Sequence, residues 1–129
     1  MSEPFWLRYE ALIALHDATI LEQGGAPGLR DDGLLRSALA RPENLFAYEG
    51  IEDIPRLAGC YAFGVAKNHA FVDGNKRAAF LASIVFLETN GFTFTATEAD
   101  AAAVFLALAA GDLEEEAIAQ WLRDNSVVR

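Results

Sequence analysis

Cysteine is almost absent from this 129-residue sequence: Cys60 stands alone, so no disulfide can staple the chain and no thiolate cluster can hold zinc. Its apolar surroundings suit a buried free thiol in a reducing cytoplasm. Cations are scarce too. Ten Lys and Arg face 19 Asp and Glu, a formal net charge of −9, which gives a repulsive average field toward nucleic acid and anionic lipid. Four prolines and ten glycines are too few for a collagen-like or low-complexity chain. Long apolar runs are missing: Ala78–Leu87 and Ala101–Ala110 are each ten residues, about half of a membrane-spanning helix. The first ten residues carry Glu3 and no uninterrupted apolar stretch, so they do not read as a secretory signal.

What is present is apolar sequence, 53% of the chain, spaced for helices. Ser2 and Pro4 open a first helix to about Leu21, with Phe5, Tyr9, Leu12, Ile13 and Ile20 at helical spacing. Gly24, Gly25, Pro27 and Gly28 make a loop. A second helix starts from an Asp31 or Asp32 cap and is broken or kinked at Pro42, with helix resuming over Leu45–Tyr48. Asp53 caps a third, whose segment Leu57–Ala66 is apolar nearly all round and therefore buried, with Gly59 and Gly64 permitting close helix contact. A fourth runs from Gly74 or Asn75 to Asn90-Gly91. Phe92–Thr95 alternates as a short strand or an extended connection, without a partner strand to make a sheet. Thr97 with Asp100 opens a fifth helix to Gly111, and Asp112 with Glu115 a sixth. The expected fold is all-α: a compact single-domain bundle of about six helices over residues 1–129, the third and fourth crossing in its centre.

Charge is unevenly placed. Both lysines, Lys67 and Lys76, fall with Arg77 in an eleven-residue segment whose one acid is Asp73, a local +2. That segment, Lys67-Asn68-His69-Ala70-Phe71-Val72-Asp73-Gly74-Asn75-Lys76-Arg77, leads into the first turn of a buried helix. A helix start offers unpaired N–H groups and the positive end of the macrodipole, where cations are unfavourable unless an anion joins them. Phosphate fits. Gly74 lets backbone approach it, and Lys76 and Arg77 add charge. Asp73 beside a polyphosphate suits Mg²⁺, which takes one or two protein carboxylates and fills its other sites with water and phosphate oxygens. His69 can accept a proton from an attacking hydroxyl, and Phe71 anchors the loop. A zinc hydrolase is disfavoured by the few ligands available and because Gly74 and the loop character of the segment argue against one continuous helical face bearing His69 and Asp73. His16-Asp17 reads as a structural pair or as a neighbour of the pocket. Neither a Walker A motif nor a Gly-x-Ser-x-Gly elbow occurs.

The stretch HAFVDGNKR, His69 to Arg77, resembles the signature of the Fic/Doc superfamily. The likeness to its Doc branch, the death-on-curing toxins, continues through ALIALHDATI (11–20), GGAPGLRD (24–31) and SALARPENLFAYE (37–49). The resemblance implies a small helical bundle with His69 as general base, Asp73 as the Mg²⁺-associated acid and Gly74, Asn75, Lys76 and Arg77 as phosphate cradle. Fic enzymes, which transfer AMP to hydroxyls, usually have proline, glycine and a second arginine where this chain has Ala70, Lys76 and Phe80. Those departures argue against AMP transfer in the Fic pose, and the resemblance to the Doc branch implies its reaction instead: phosphorylation by Mg²⁺ and ATP of a threonine on translation elongation factor Tu, which arrests translation. AMP transfer and a catalytically silent interaction module of the same fold are the alternatives. No Ser or Thr has Glu four residues on, as the autoinhibitory Fic pattern requires, so a Phd-like antitoxin is implied as the inhibitor.

Overall fold

Caps and apolar runs divide the chain as its sequence suggests, with four departures. The computed structural model describes residues 2–129. In order they form α1 (Tyr9–Gln23), α2 (Asp32–Glu49), α3 (Ile54–Asn68), α4 (Asn75–Thr89), β1 (Phe92–Phe94), α5 (Glu98–Ala109), α6 (Glu115–Asp124) and β2 (Ser126–Val128). Asp31, Asp53 and Thr97 cap α2, α3 and α5, their side chains accepting from the backbone N–H of Leu34, Arg56 and Asp100. No helix among the described residues is long and apolar enough to cross a membrane.

Helix α3 is apolar nearly all round because α2, α4 and α6 all pack on it. Its glycines set how closely they do so. A Cβ on Gly59 would stand 2.6 Å from Ala119 Cβ and 2.7 Å from Ala119 Cα, so α6 crosses α3 where only hydrogen fits. Two aromatic groups flank this centre. Tyr61, Phe86 and Trp6 close one end, with ring centroids 4.9 and 5.9 Å apart; Phe80, Phe94, Phe105 and Trp121 join α4, β1, α5 and α6 at the other.

The first departure is at the N-terminus: helix begins at Tyr9, not near Pro4. The backbone before it has other partners. Leu7 N–H donates to the buried Tyr61 hydroxyl (3.1 Å), while Asn90 accepts from Phe5 N–H (2.8 Å) and donates to Phe5 C=O (2.9 Å). Phe5, expected on the apolar stripe, is exposed. Secondly, α2 runs unbroken through Pro42. The ring forfeits one hydrogen bond but is wholly buried, and burial of that order, about 25 cal/mol per Å² of apolar surface, offsets the loss. Thirdly, β1 does have a partner: the C-terminal residues return antiparallel, pairing Phe92 with Val128 and Phe94 with Ser126. The bundle thus carries a small two-stranded sheet.

The fourth departure concerns Glu115, which does not cap α6 with Asp112; the cap is Glu114, without a side-chain bond. Glu115 turns inward instead, accepting from Arg56 Nη1 at 2.8 Å and lying 2.7 Å from Arg41 Nη1 as an ion pair. Burial alone would raise its carboxyl, but the two guanidinium groups outweigh that and hold it below the ordinary glutamate value. Its contribution to stability is therefore complete above the unfolded value of about 4.3, and it fades as pH falls from there through the lowered folded value. We expect Glu115→Gln to cost about 2 kcal/mol at neutral pH, less than a fully buried break because both arginines touch solvent. Urea unfolding across pH 3–7 checks it: the difference between wild type and variant should shrink toward roughly pH 3. The neighbouring Cys60 thiol is pushed up to about 12 by burial first and by Glu115 second, so it stays protonated.

Candidate functional site

Helix α3 ends in a turn that few side chains tolerate. His69 closes it in the left-handed region, φ 47° and ψ 49°, and is the one non-glycine residue there among those described. The turn is braced from behind. Arg30 donates from Nε to the His69 carbonyl (2.8 Å) and from Nη2 to the Asn68 carbonyl (3.1 Å), while Asn68 Nδ2 donates to Leu34 C=O (2.8 Å). The glycine loop before α2 then pairs with the segment after His69. Arg30 N–H and Asp31 N–H both donate to Ala70 C=O (2.7 and 3.0 Å), and Val72 N–H donates to Gly28 C=O (3.0 Å). Ala70 and Phe71 are buried, so the loop is nailed to the core between two exposed polar residues, His69 and Asp73.

Phe71 is gripped on two sides. Asn75 accepts from its N–H and donates to its C=O, both at 2.9 Å, which commits the Asn75 amide to loop backbone. The His16 ring stacks on the Phe71 ring with centroids 3.8 Å apart and planes 17° from parallel. His16, 1% exposed, also donates from Nε2 to the Asp73 carbonyl at 2.7 Å; a carbonyl only accepts, so the proton sits on Nε2. Its Nδ1 is buried without a hydrogen-bond partner, and Asp17, 4.0 Å away and largely exposed, does not supply one. The structural pair is thus not His16 with Asp17 but His16 with the motif loop.

The motif then turns into α4. Asp73 accepts from Gly74 N–H (2.8 Å) and from Ala26 N–H (3.2 Å), which fixes its carboxylate beside the glycine loop. A Cβ on Gly25 would lie 2.7 Å from that carboxylate, which is why a glycine stands there. Gly74, at φ 76°, caps α4 without a side-chain bond, and its missing Cβ leaves room for His16 Nε2 at 3.2 Å. The first intrahelical bond runs from Ala78 N–H to Gly74 C=O, so the N–H groups of Asn75, Lys76 and Arg77 lie outside the ladder. No acid occupies this first turn. Arg77 Nε is itself shut off from solvent with no acceptor among the described residues. His69, Asp73, Gly74, Asn75, Lys76 and Arg77 all line one cleft of about 490 Å³, closed on its far side by Thr19, Ile20 and Gln23 of α1. Unpaired donors at the positive end of a helix, two cations, one carboxylate and one imidazole make this cleft suited to a phosphate ester and to proton transfer beside it.

The Fic/DOC family model matches residues 6–87, which include this entire constellation. The chain belongs to the Fic/DOC family. Among its relatives is the protein named Protein kinase doc of Escherichia phage P1, 36% identical over 115 residues that cover 88% of this chain and 90% of that protein. Another is Toxin Doc of Mycolicibacterium smegmatis (strain ATCC 700084 / mc(2)155), 43% identical over 76 residues covering 57% of each. These relatives set the chain in the Doc branch of the Fic/DOC family.

Within this Fic/DOC site the six motif residues share the cleft, but Asn75 contributes its backbone and not its amide. His16, Arg30, Gln23 and the Gly25-Ala26 turn carry as much of the geometry. Of these, His16 had a readable signal: Leu12, His16 and Ile20 recur every fourth residue, and that row is the buried face of α1. Arg30 had none, since its role rests on a loop-to-loop contact across 39 residues.

Proposed function

We propose that this chain is a Doc-type toxin and protein kinase, which transfers the terminal phosphate of ATP, with Mg²⁺, to a threonine hydroxyl of elongation factor Tu. Arrested translation in the cytoplasm is the consequence, and a Phd-like antitoxin is the partner that restrains it. The printed names of the two relatives, a kinase and a toxin, support the reading. The observation that carries it is the single cleft in which the free N–H groups of α4, the Asp73 carboxylate and His69 meet.

Mg²⁺ and a triphosphate suit the donor set. Asp73 is exposed and each of its oxygens has one backbone bond, leaving lone pairs for a cation. Among the described residues no group of three or more His, Cys, Asp and Glu gathers to cage a metal, which favours an ion that takes one carboxylate and phosphate oxygens. Bound there, Mg²⁺ would neutralise phosphate charge as the transfer proceeds. The remaining work falls to the chain. The N–H groups of Asn75, Lys76 and Arg77 and the two cationic side chains hold the phosphates. His69 takes the acceptor hydroxyl's proton as that oxygen bonds to the terminal phosphorus and the bond to ADP breaks. The αL turn braced by Arg30 keeps the imidazole at the cleft. Lys76 lines the cleft where Fic enzymes carry glycine, and Phe80 is engaged with Phe94 and Phe105 where they carry arginine; both favour phosphate over AMP transfer.

Incubating the protein with elongation factor Tu, Mg²⁺ and ATP labelled at either the α or the γ phosphate tests this. Label should reach the factor from the γ position only. Transfer from the α position overturns the kinase in favour of AMP transfer, and no transfer from either overturns both.

A further inference from the structure

His69 borders two clefts. Besides the phosphate cleft it lines another, about 300 Å³, between the end of α3 and the turn that joins α5 to α6, and Ala109 is the other residue common to both. Asp73, Gly74 and the first turn of α4 take no part in this second cleft. Its floor is apolar: Leu108 is buried, while Phe63 and Leu113 are half-buried and still offer surface. Displacement at phosphorus runs roughly in line, with the attacking and leaving oxygens on opposite sides. With the phosphates held on the α4 side of His69, a hydroxyl that gives its proton to that imidazole arrives from the other side, where this cleft opens.

Charge narrows what can enter. Lys67, the one cation of the lining, stands in the last turn of α3, where it complements the helix dipole, and its ammonium lies 5.6 Å from the Phe63 ring centroid. Glu114 caps α6 without a side-chain bond, and the ion pairs nearby belong to Glu115, so its exposed carboxylate has no partner among the described residues. Asp112 and Glu116, on either side of it in sequence, are exposed as well. Such a rim repels an anion and draws a cation. We propose that this cleft receives the acceptor protein: a segment of it presents the hydroxyl to His69, sets an aliphatic side chain on Phe63, Leu108 and Leu113, and pairs a basic side chain with Glu114. The hydroxyl oxygen bonds to the terminal phosphorus, its proton passes to His69, and ADP departs on the α4 side. This acceptor cleft rests on the kinase reading proposed above and adds to it the residues that choose the substrate.

Labelling of elongation factor Tu by the intact protein at saturating Mg²⁺ and ATP, with the factor varied, gives KM and kcat for the acceptor. Ala110 is exposed and lines this cleft but not the phosphate cleft, so Ala110→Trp fills it without touching the core. KM for the factor should rise about tenfold or more, with the change falling on KM rather than kcat. Affinity for a non-hydrolysable ATP analogue, read by calorimetry, should stay within about twofold of wild type. Glu114→Lys, a surface change, should raise KM about three- to tenfold, and added salt should weaken wild type but not this variant. Unchanged KM in both variants overturns the cleft, as does nucleotide affinity that falls in step with KM. If wild type labels nothing, the kinase reading falls, and calorimetric binding of the unmodified factor decides the cleft by itself. Affinity lost in Ala110→Trp then supports it; equal affinity for the two proteins, or no binding to either, overturns it.

Discussion

Replacing His69 with alanine lowers acceptor labelling by about 10²–10⁴-fold, the usual worth of a positioned general base. The reason lies in where the imidazole stands. It is exposed at the rim of the phosphate cleft, at the end of α3, with its own peptide held by Arg30 and its neighbours Ala70 and Phe71 buried. Losing it removes the proton acceptor and leaves the N–H groups of α4, Asp73, Lys76 and Arg77 in place. Nucleotide affinity should therefore stay within about threefold while turnover collapses, the pattern of an interaction made only in the transition state. Alanine is less tolerant of φ 47° than histidine, at a cost of about 1 kcal/mol. His69→Asn, which suits that region and is no base, separates the two effects: it should be as inactive as alanine and melt close to wild type. A variant that keeps full transfer removes His69 from the chemistry.

His16→Phe is the second large effect, from a side chain that lines neither cleft. Phenylalanine preserves an aromatic ring against Phe71 but cannot donate to the Asp73 carbonyl, so that partly buried acceptor loses its partner at a cost of about 1 kcal/mol. The loop then relaxes where it matters, between the Asp73 carboxylate and the Gly74 turn. A displacement of about 1 Å at such a point is enough for a loss of about 10²-fold in turnover. His16→Gln reverses the loss: it forfeits the stack but its amide donates, and it should retain activity to within about tenfold. Steady-state kinetics with melting curves on both variants decides between positioning and mere stability. If activity tracks melting temperature across the two, His16 is structural; if the glutamine variant is the more active despite equal or lower stability, it is a positioning residue.

The pattern of what the sequence made legible follows from the range of the interactions. Caps such as Asp31, Asp53 and Thr97 act over three residues, so helix starts that depend on them could be read directly. The HAFVDGNKR segment could be read because its backbone turn, its cations and its carboxylate are contiguous, and the +2 island in a −9 chain marked the place. What escaped are effects of distant partners. Tyr61 and Asn90 hold the first residues out of helix, Pro42 stays in one because its ring is buried, and β1 finds its partner 34 residues on. Asn75 shows the limit within the motif itself: the family resemblance implied a place in the phosphate cradle, whereas its amide clamps the Phe71 peptide. His16 lay in plain view on the Leu12–Ile20 row, but only the fold reveals that this row faces the motif loop.

In the proposed reaction His69, at the start of a phosphate cradle, drives transfer of a terminal phosphate to a protein hydroxyl. Intact-mass measurement of elongation factor Tu after incubation with Mg²⁺, ATP and either wild type or His69→Asn tests it most directly. The prediction is a gain of one phosphoryl group with wild type and no change with the variant. A gain of one adenylyl group, an unmodified factor, or equal modification by both proteins would contradict it.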